Sequence, residues 1–411
     1  MTVVPEPAGR WRLLGWLSAA ELLALATWFS GSAVAGSLSA EWSLDGLGIA
    51  SLTVAVQIGF AAGALTLALI GAPDVVPARV LIPVGALVAA SANAGFAVVA
   101  DDLASALPFR FLTGVGIAAV YPVGMKVLAS WFRGGRGLAV GTLIGALTIG
   151  SALPYLLRAG GTALAVDWRL IVLAASGCAA LGGLIAAVAV RDGPFATPAA
   201  RFSAAIARAA MREPSVRLAT VGYLGHMWEL YAMWSWIPVF LAASLAATGS
   251  SDAAAASLGA FLVVAAGGIG CVAAGALADR MGRTAITIAA MALSGGSAIV
   301  TGLLFGAAPA LVLGMAVVWG ITVVADSAQF STAVSELAPA GSAGSALTLQ
   351  TAAGFLLTSA TIYAISFLDP ADGTGWRLAF ALLALGPLAG IVAMWRLRLR
   401  PDAVRMAGGR R

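Results

Sequence analysis

Long apolar runs alternate with short polar interruptions along the whole chain. A helix needs about 20 mostly apolar residues to cross the hydrocarbon core of a bilayer. On that measure the pattern predicts twelve spans, at approximately 12–37, 46–71, 78–99, 104–131, 137–158, 168–190, 217–243, 254–278, 285–306, 309–333, 344–367 and 376–398. The interruptions at 73–77, 101–102, 133–136, 279–283, 339–341 and 369–375 carry proline, glycine or charge, the usual marks of turns. Span 1 lacks a cleavage pattern and is too long for the apolar core of a leader, so it is expected to stay in the chain. One long polar insertion, 191–216, divides the spans six and six. Within it Phe202, Ile206, Ala209 and Ala210 fall on one helical face, with Arg201, Arg208 and Arg212 on another. That pattern predicts an amphipathic helix at the membrane surface.

Composition narrows the class. Of 411 residues, 61% are hydrophobic and only 10% are charged, against about 25% charged in an ordinary soluble domain. Mean hydropathy is +0.97. A water-soluble enzyme, a nucleic-acid binder and a disordered chain are excluded. The expectation is an all-α integral membrane protein. Cys178 and Cys271 lie inside apolar runs and are expected to be packing thiols. A single histidine argues against a metal site, and no G-x-x-x-x-G-K-[ST] loop offers a nucleotide site.

Charge placement orients the chain. With the amino terminus in the cytoplasm, the cytoplasmic segments hold 18 of the 23 basic residues. The opposite side holds only Arg158, Arg169 and Arg377, and Arg110 and Lys126 lie within span 4. The positive-inside rule then puts both termini in the cytoplasm, with the protein in the inner (plasma) membrane.

The two halves repeat. Asp167-Trp168-Arg169-Leu170 opens span 6, and Gly375-Trp376-Arg377-Leu378 opens span 12, 208 residues later. Asp74 and Arg79 after span 2 match Asp279 and Arg283 after span 8, 205 and 204 residues later. The pattern predicts two pseudo-symmetric six-helix bundles, at 1–190 and 217–411, joined by the 191–216 linker. A six-span repeat is the usual build of an alternating-access transporter, with its site between the repeats near the midplane.

Ionisable groups inside the spans mark candidate sites. Glu229 lies 12 residues into span 7, about 18 Å deep at 1.5 Å per residue. His226 shares its face, three residues earlier. Glu21 in span 1 and Lys126 in span 4 lie at comparable depths and are expected to pair, and Asp326 sits in the inner half of span 10. Trp28, Gln57, Tyr121, Lys126, Tyr231, Trp234, Gln329 and Gln350 are candidates to line a substrate cavity. Trp228 and Trp236 could join that surface or a gate. For each of these groups the alternative is a bond between packed helices or an interfacial role.

After span 8 comes Gly275-Ala-Leu277-Ala-Asp279-Arg280-Met-Gly282-Arg283. This resembles the G-x-L-x-D-R-x-G-R loop of the major facilitator superfamily, and the resemblance covers essentially the whole chain. It implies that Asp279, Arg280 and Arg283, with Asp74 and Arg79 in the other half, latch one conformation. The loop after span 2 departs from that pattern: it keeps Asp74 and Arg79 but lacks the spaced glycines. Arg110-Phe-Leu-Thr-Gly114-Val-Gly116 is similar to the family's span-4 pattern, whose arginine is tied to proton coupling in relatives. Gly141, Gly145, Gly150 and Pro154 partly match the glycine–proline motif of family antiporters; helix packing explains them equally well. The resemblance points toward the nitrate/cyanate-permease-like and drug/metabolite antiporter branches. Spans 2 and 8 lack the buried arginines of the two-arginine nitrate site.

The expectation is therefore a secondary transporter, not an enzyme, that moves a small organic solute by alternating access. The proton is the expected coupling ion, with Glu21, Arg110, His226, Glu229 and Asp326 as candidate couplers and no other cofactor. An anionic solute held through Arg110 or Lys126 is one option. The alternatives are a multidrug or metabolite efflux antiporter, a non-transporting membrane sensor and an intramembrane hydrolase built on His226. The expected partners are the solute and the bilayer, with no nucleic acid, and the chain is expected to be a monomer.

Overall fold

A computed structural model describes residues 7–196, 202–368 and 373–410. Among them the chain is helical, with no strand. Eleven of the predicted spans form helical segments long and apolar enough to cross a bilayer. Nine are single helices: Gly46–Ile70, Ala78–Val99, Arg136–Ala163, Trp168–Ala189, Pro214–Ala247, Ala253–Met281, Arg283–Leu303, Ala343–Phe367 and Gly373–Arg398. Spans 4 and 10 each break in two, into Leu103–Ala118 and Tyr121–Trp131, and into Pro309–Val323 and Ser327–Leu337. The two breaks fall 205 residues apart, counted from the last helical residue before each, so the repeat is structural as well as sequential.

Span 1 departs from the single helix expected at 12–37. It runs as Arg10–Ala24, a 3-10 turn at Leu25–Thr27, Ser30–Ala33 and Ala35–Trp42. The cause is local chemistry. Thr27 and Ser30 hydroxyls donate back to the Ala24 and Thr27 carbonyls, which competes with the helical ladder. The Thr27 and Trp28 carbonyls instead accept from the Arg110 guanidinium. The broken backbone therefore loses no hydrogen bonds to hydrocarbon.

Spans 5 and 8 pack across the two halves on bare backbone. A methyl group added at Gly141 would overlap the Cys271 carbonyl, one at Gly275 the Gly137 carbonyl, and one at Gly145 would crowd Gly268. Small residues let helices approach closely where lipid supplies no hydrophobic drive. The antiporter-like glycines of span 5 are thus paving for this contact, apart from Gly150, which faces Leu22 of span 1. Cys178 and Cys271 are free thiols, and Cys271 donates to the Val324 carbonyl at the span 10 break.

The insertion holds a helix at Ala204–Arg212, but its buried side differs from the expected one. Ala207 and Ala210 are buried, while Ile206 and Ala209 join Arg208 and Arg212 on the exposed side. The helix packs against span 11, so small residues rather than Ile206 make the close contact. Arg201 lies outside the described residues.

Replacing Gly141 with valine drives a branched side chain into the span 8 backbone. Overpacking of this kind costs about 1–3 kcal/mol. Gly141→Val is expected to lower the unfolding temperature in detergent, as read by differential scanning fluorimetry. Gly160→Val, at a position with open space around it, is expected to leave it nearly unchanged.

A candidate solute cleft between the two halves

The helix ends that carry most of the arginines define a basic face. A cleft of about 580 Å³ opens there between spans 2, 4 and 5 on one side and spans 10 and 11 on the other. Its mouth is lined by Asp74, Lys126, Arg136, Arg283 and Glu336, and its walls include Pro122, Met125, Gln329, Thr332 and Thr348. Phe202 from the insertion also reaches it. Beyond it lies a narrow pocket of about 40 Å³, lined by Tyr121, Tyr223, Tyr231, Trp234, Thr351 and Phe355. Ser331 lines both.

Aromatic contacts between the halves cap that pocket. The Trp28 ring stacks on Tyr231 at 5.5 Å and Phe60 meets Phe355 at 4.2 Å. Phe29 lies edge-on to Trp234 at 5.8 Å, and Tyr155 donates to the Trp234 carbonyl at 2.8 Å. Farther from the basic face, the Ser51 and Tyr363 hydroxyls join spans 2 and 11 at 3.1 Å. The cleft is thus closed on the side away from the arginines. Trp228 and Trp236 take no part, because their indoles donate to the Leu382 and Ile362 carbonyls.

The ionisable residues of the spans are all placed, but several pair differently from expectation. Glu229 and His226 share a helix face without becoming partners. Glu229 Oε1 accepts from Trp319 Nε1 at 2.7 Å and Oε2 from Ser294 at 2.8 Å. His226 Nδ1 instead lies 2.9 Å from Asp326 Oδ1. The break in span 10 explains this: Asp326 stands at the start of the helix Ser327–Leu337 without capping it, and its carboxylate is turned toward span 7. Lys126 does not reach Glu21. Its ammonium is held by the Asp74 carboxylate and the Pro73 carbonyl at the cleft mouth. Glu21 is fully buried against Gly124, and neither of its oxygens has a partner among the described residues.

Arg110 is fully buried and has no carboxylate partner among the described residues. Its guanidinium donates to the Leu52, Thr27 and Trp28 carbonyls, Ser30 Oγ and Asn93 Oδ1, at 2.6 to 3.3 Å. One side chain thereby ties together spans 1, 2, 3 and 4. Gln57 and Gln350 are buried, and neither amide atom of either has a partner among the described residues. Gln329 accepts from Arg283 at 2.9 Å. Tyr231 and Trp234 of span 7 line the central pocket as expected, but its span-7 neighbours Tyr223 and Met227 were not marked by the sequence, nor were Asn93, Ser294, Trp319 and Glu336. Of these, the polar Asn93 and Ser294 within apolar runs were the readable signals.

The loop residues sort into two unequal sets. Arg283 makes a two-pronged pair with Glu336 at 2.7 and 2.8 Å and lies 4.0 Å from Asp279. The Asp279 carboxylate stands against Gly137, in the first turn of span 5, where a helix amino terminus favours negative charge. Arg280 is exposed. In the other half Asp74 takes Lys126, and Arg79 is exposed. Among the described residues no cluster of three or more histidine, cysteine or acidic side chains could hold a metal.

The sequence profile of the Major Facilitator Superfamily matches residues 17–362. The chain belongs to the Major Facilitator Superfamily. It is an integral membrane protein of a transporter family. Solved transporters of this superfamily share the fold at low identity. A D-xylose–proton symporter superposes with a TM-score of 0.74 at 15% identity, covering 96% of this chain and 99% of that one. The nucleoside transporter NupG gives 0.70 at 14%, covering 94% and 99%. A bacterial homologue of the human lysosomal transporter Spinster, inward-facing and unoccupied, gives 0.65 at 16%, covering 96% of both chains. No curated protein sequence matches this chain.

Substitutions at two positions test the buried polar bonds. Ala at 229 would leave the buried Trp319 indole donor without an acceptor, and an unmet buried group costs about 1–3 kcal/mol. Glu229→Ala is expected to lower the unfolding temperature accordingly, whereas Glu229→Gln, whose amide oxygen can accept from Trp319 while its NH2 donates to the Ser294 hydroxyl, is expected to lower it less. Arg110→Lys cannot serve five acceptors on three elements with one ammonium. Its cost is expected to be larger, about 3–5 kcal/mol for a broken buried charge network, read by the same thermal assay.

Proposed function

We propose that this superfamily member is a secondary transporter that carries a small organic solute by alternating access, driven by protons. The observation that carries the reading is the one-sided cleft: about 580 Å³, open at the basic face and ended by aromatic contacts between the halves. Residues 1–190 and 217–411 are the rocking units in this reading. The basic face is the cytoplasmic one, by the positive-inside rule, so the described conformation is inward-open in the plasma membrane.

The proton site in this reading is the His226–Asp326 pair. An acid and a base 2.9 Å apart, buried beside the Tyr223 and Met227 wall of the central pocket, can take up or give up one proton with little movement. Glu229 is less suited, because both its oxygens are already engaged by neutral donors. Arg110 is likewise occupied by five acceptors and serves as a fixed positive charge behind Trp28. Proton coupling also suits the lack of any nucleotide-binding loop in the sequence.

Purified protein would be screened by thermal shift for stabilising solutes, and the hits tested in proteoliposomes with an internal pH dye. Solute addition is expected to move protons in the parent and to fail to do so in Asp326→Asn, with solute exchange retained. Unchanged proton movement in Asp326→Asn would remove the pair from the mechanism. Saturable solute binding with no flux in sealed vesicles would overturn the transporter reading.

A further inference from the structure

Span 7 carries a proline inside its helix, Pro238. Proline has no N–H, so the carbonyl four residues earlier loses its ladder donor. That carbonyl belongs to Trp234, past the middle of span 7 and toward its outer end. Hydrocarbon supplies no replacement. Phe29, packed edge-on against the Trp234 ring at 5.8 Å, has no donor to offer. The missing donor comes from the other half of the molecule: the Tyr155 hydroxyl of span 5 meets the Trp234 carbonyl at 2.8 Å. Both residues are buried, Tyr155 completely.

The repeat shows that this arrangement is one-sided. At the 205-residue offset, Ala33 and Phe29 of span 1 stand on Pro238 and Trp234. Ala33 keeps its N–H and donates it to the Phe29 carbonyl at 2.9 Å, so that carbonyl calls for no donor from outside its span. The other cross-half hydrogen bond described on the outer side, Ser51 with Tyr363, joins two half-buried hydroxyls that water serves equally well. Of these two bonds, only the one from Tyr155 leaves a fully enclosed group unmet when it is lost.

An unmet carbonyl is costly only where it is dry. With the outer side shut, the Trp234 carbonyl is enclosed and depends on Tyr155. With the outer side open, water reaches it and it needs nothing from span 5. We propose that Tyr155 is a state-selective lock, whose hydroxyl, bound to the carbonyl that Pro238 frees, holds the outer side of the two halves shut. Removing the hydroxyl penalises the shut form alone, and population moves toward the form open on the side away from the arginines. The proline and the phenol act as one device: a complete ladder in span 7 would leave Tyr155 little to hold. That a second, outward-open form exists rests on the function proposed above; the bond and its hold on the shut form do not.

The test reads how often the outer side opens. In the purified full-length protein Cys178 and Cys271 are replaced by serine, and Ser366 by cysteine. Ser366 is buried against Gly46 of span 2, so a maleimide reaches a thiol there in proportion to the open population. Tyr155→Phe keeps the ring and is expected to speed labelling about tenfold or more, with an unchanged elution profile. Pro238→Ala restores the ladder donor. On that background Tyr155→Phe is expected to change the rate by less than about threefold. The proposal fails if Tyr155→Phe is labelled at the parent's rate. It fails equally if Tyr155→Phe speeds labelling as much with Pro238→Ala as without it, since ring packing and not the carbonyl would then be responsible. Faster labelling of Tyr155→Phe in a protein that moves no solute in proteoliposomes would sink the transport reading and leave the lock standing. Solute flux, with Tyr155→Phe labelled at the parent's rate, would do the reverse.

Discussion

Hydrocarbon offers no hydrogen bonds, so every polar group taken off a helix ladder must be met by another element. Arg110 shows how far that constraint shapes this protein. Its guanidinium would be very costly inside a span, yet here it is paired with carbonyls that the break in span 1 has released. Neither feature stands alone: the broken span needs donors, and the buried charge needs acceptors. Together they lock spans 1 to 4 into one body and set Trp28 where it can stack on Tyr231 of the other half. The cap over the central pocket thus depends on an arginine that does not touch it.

The carboxyl-terminal half solves the same problem with different residues. At the position corresponding to Gly114 stands Trp319, whose indole holds Glu229, and Asp326 follows at the break with its carboxylate 2.9 Å from the His226 ring. The repeat keeps the break of spans 4 and 10, although span 1 is broken and its counterpart, span 7, is one helix. The repeat does not conserve what fills the space at the breaks. Two bundles of the same shape therefore hold different chemistry at corresponding positions.

The spans were legible because a bilayer demands about 20 apolar residues at a stretch, and that demand leaves a long, strong signal. The break in span 1 was not. Local hydroxyl bonds open the ladder there, and the carbonyls it frees are met by Arg110, 82 residues away from Trp28, a partner of which hydropathy carries no trace. The ionisable candidates were legible one by one, since Glu21, His226, Glu229 and Asp326 are all polar exceptions in apolar runs. Their pairing was not, because sequence spacing on one helix favoured Glu229 with His226, whereas partners came from spans 9 and 10. Lys126 illustrates the same limit: its depth matched that of Glu21, but its long stem carries the ammonium to Asp74 at the mouth.

The loops show how a departure in sequence becomes an asymmetry in shape. The loop after span 8 keeps the full family pattern, and its Asp279 stands against the first turn of span 5 in the opposite half. The halves are joined on that flank by carboxylate, helix terminus and glycine paving together. The loop after span 2 lacks the spaced glycines of that pattern, and its Asp74 is bound to Lys126 of its own half. The counterpart of Gly137 is Gly344 at the start of span 11, and it has open space before it. Both Asp74 and Gly344 line the cleft. The open side of the molecule is thus the side on which the cross-half carboxylate contact is not made. An Asp74 engaged with Lys126 is an Asp74 withheld from span 11, so in this protein a lysine on the cleft wall, absent from the corresponding position in the other half, favours the open mouth.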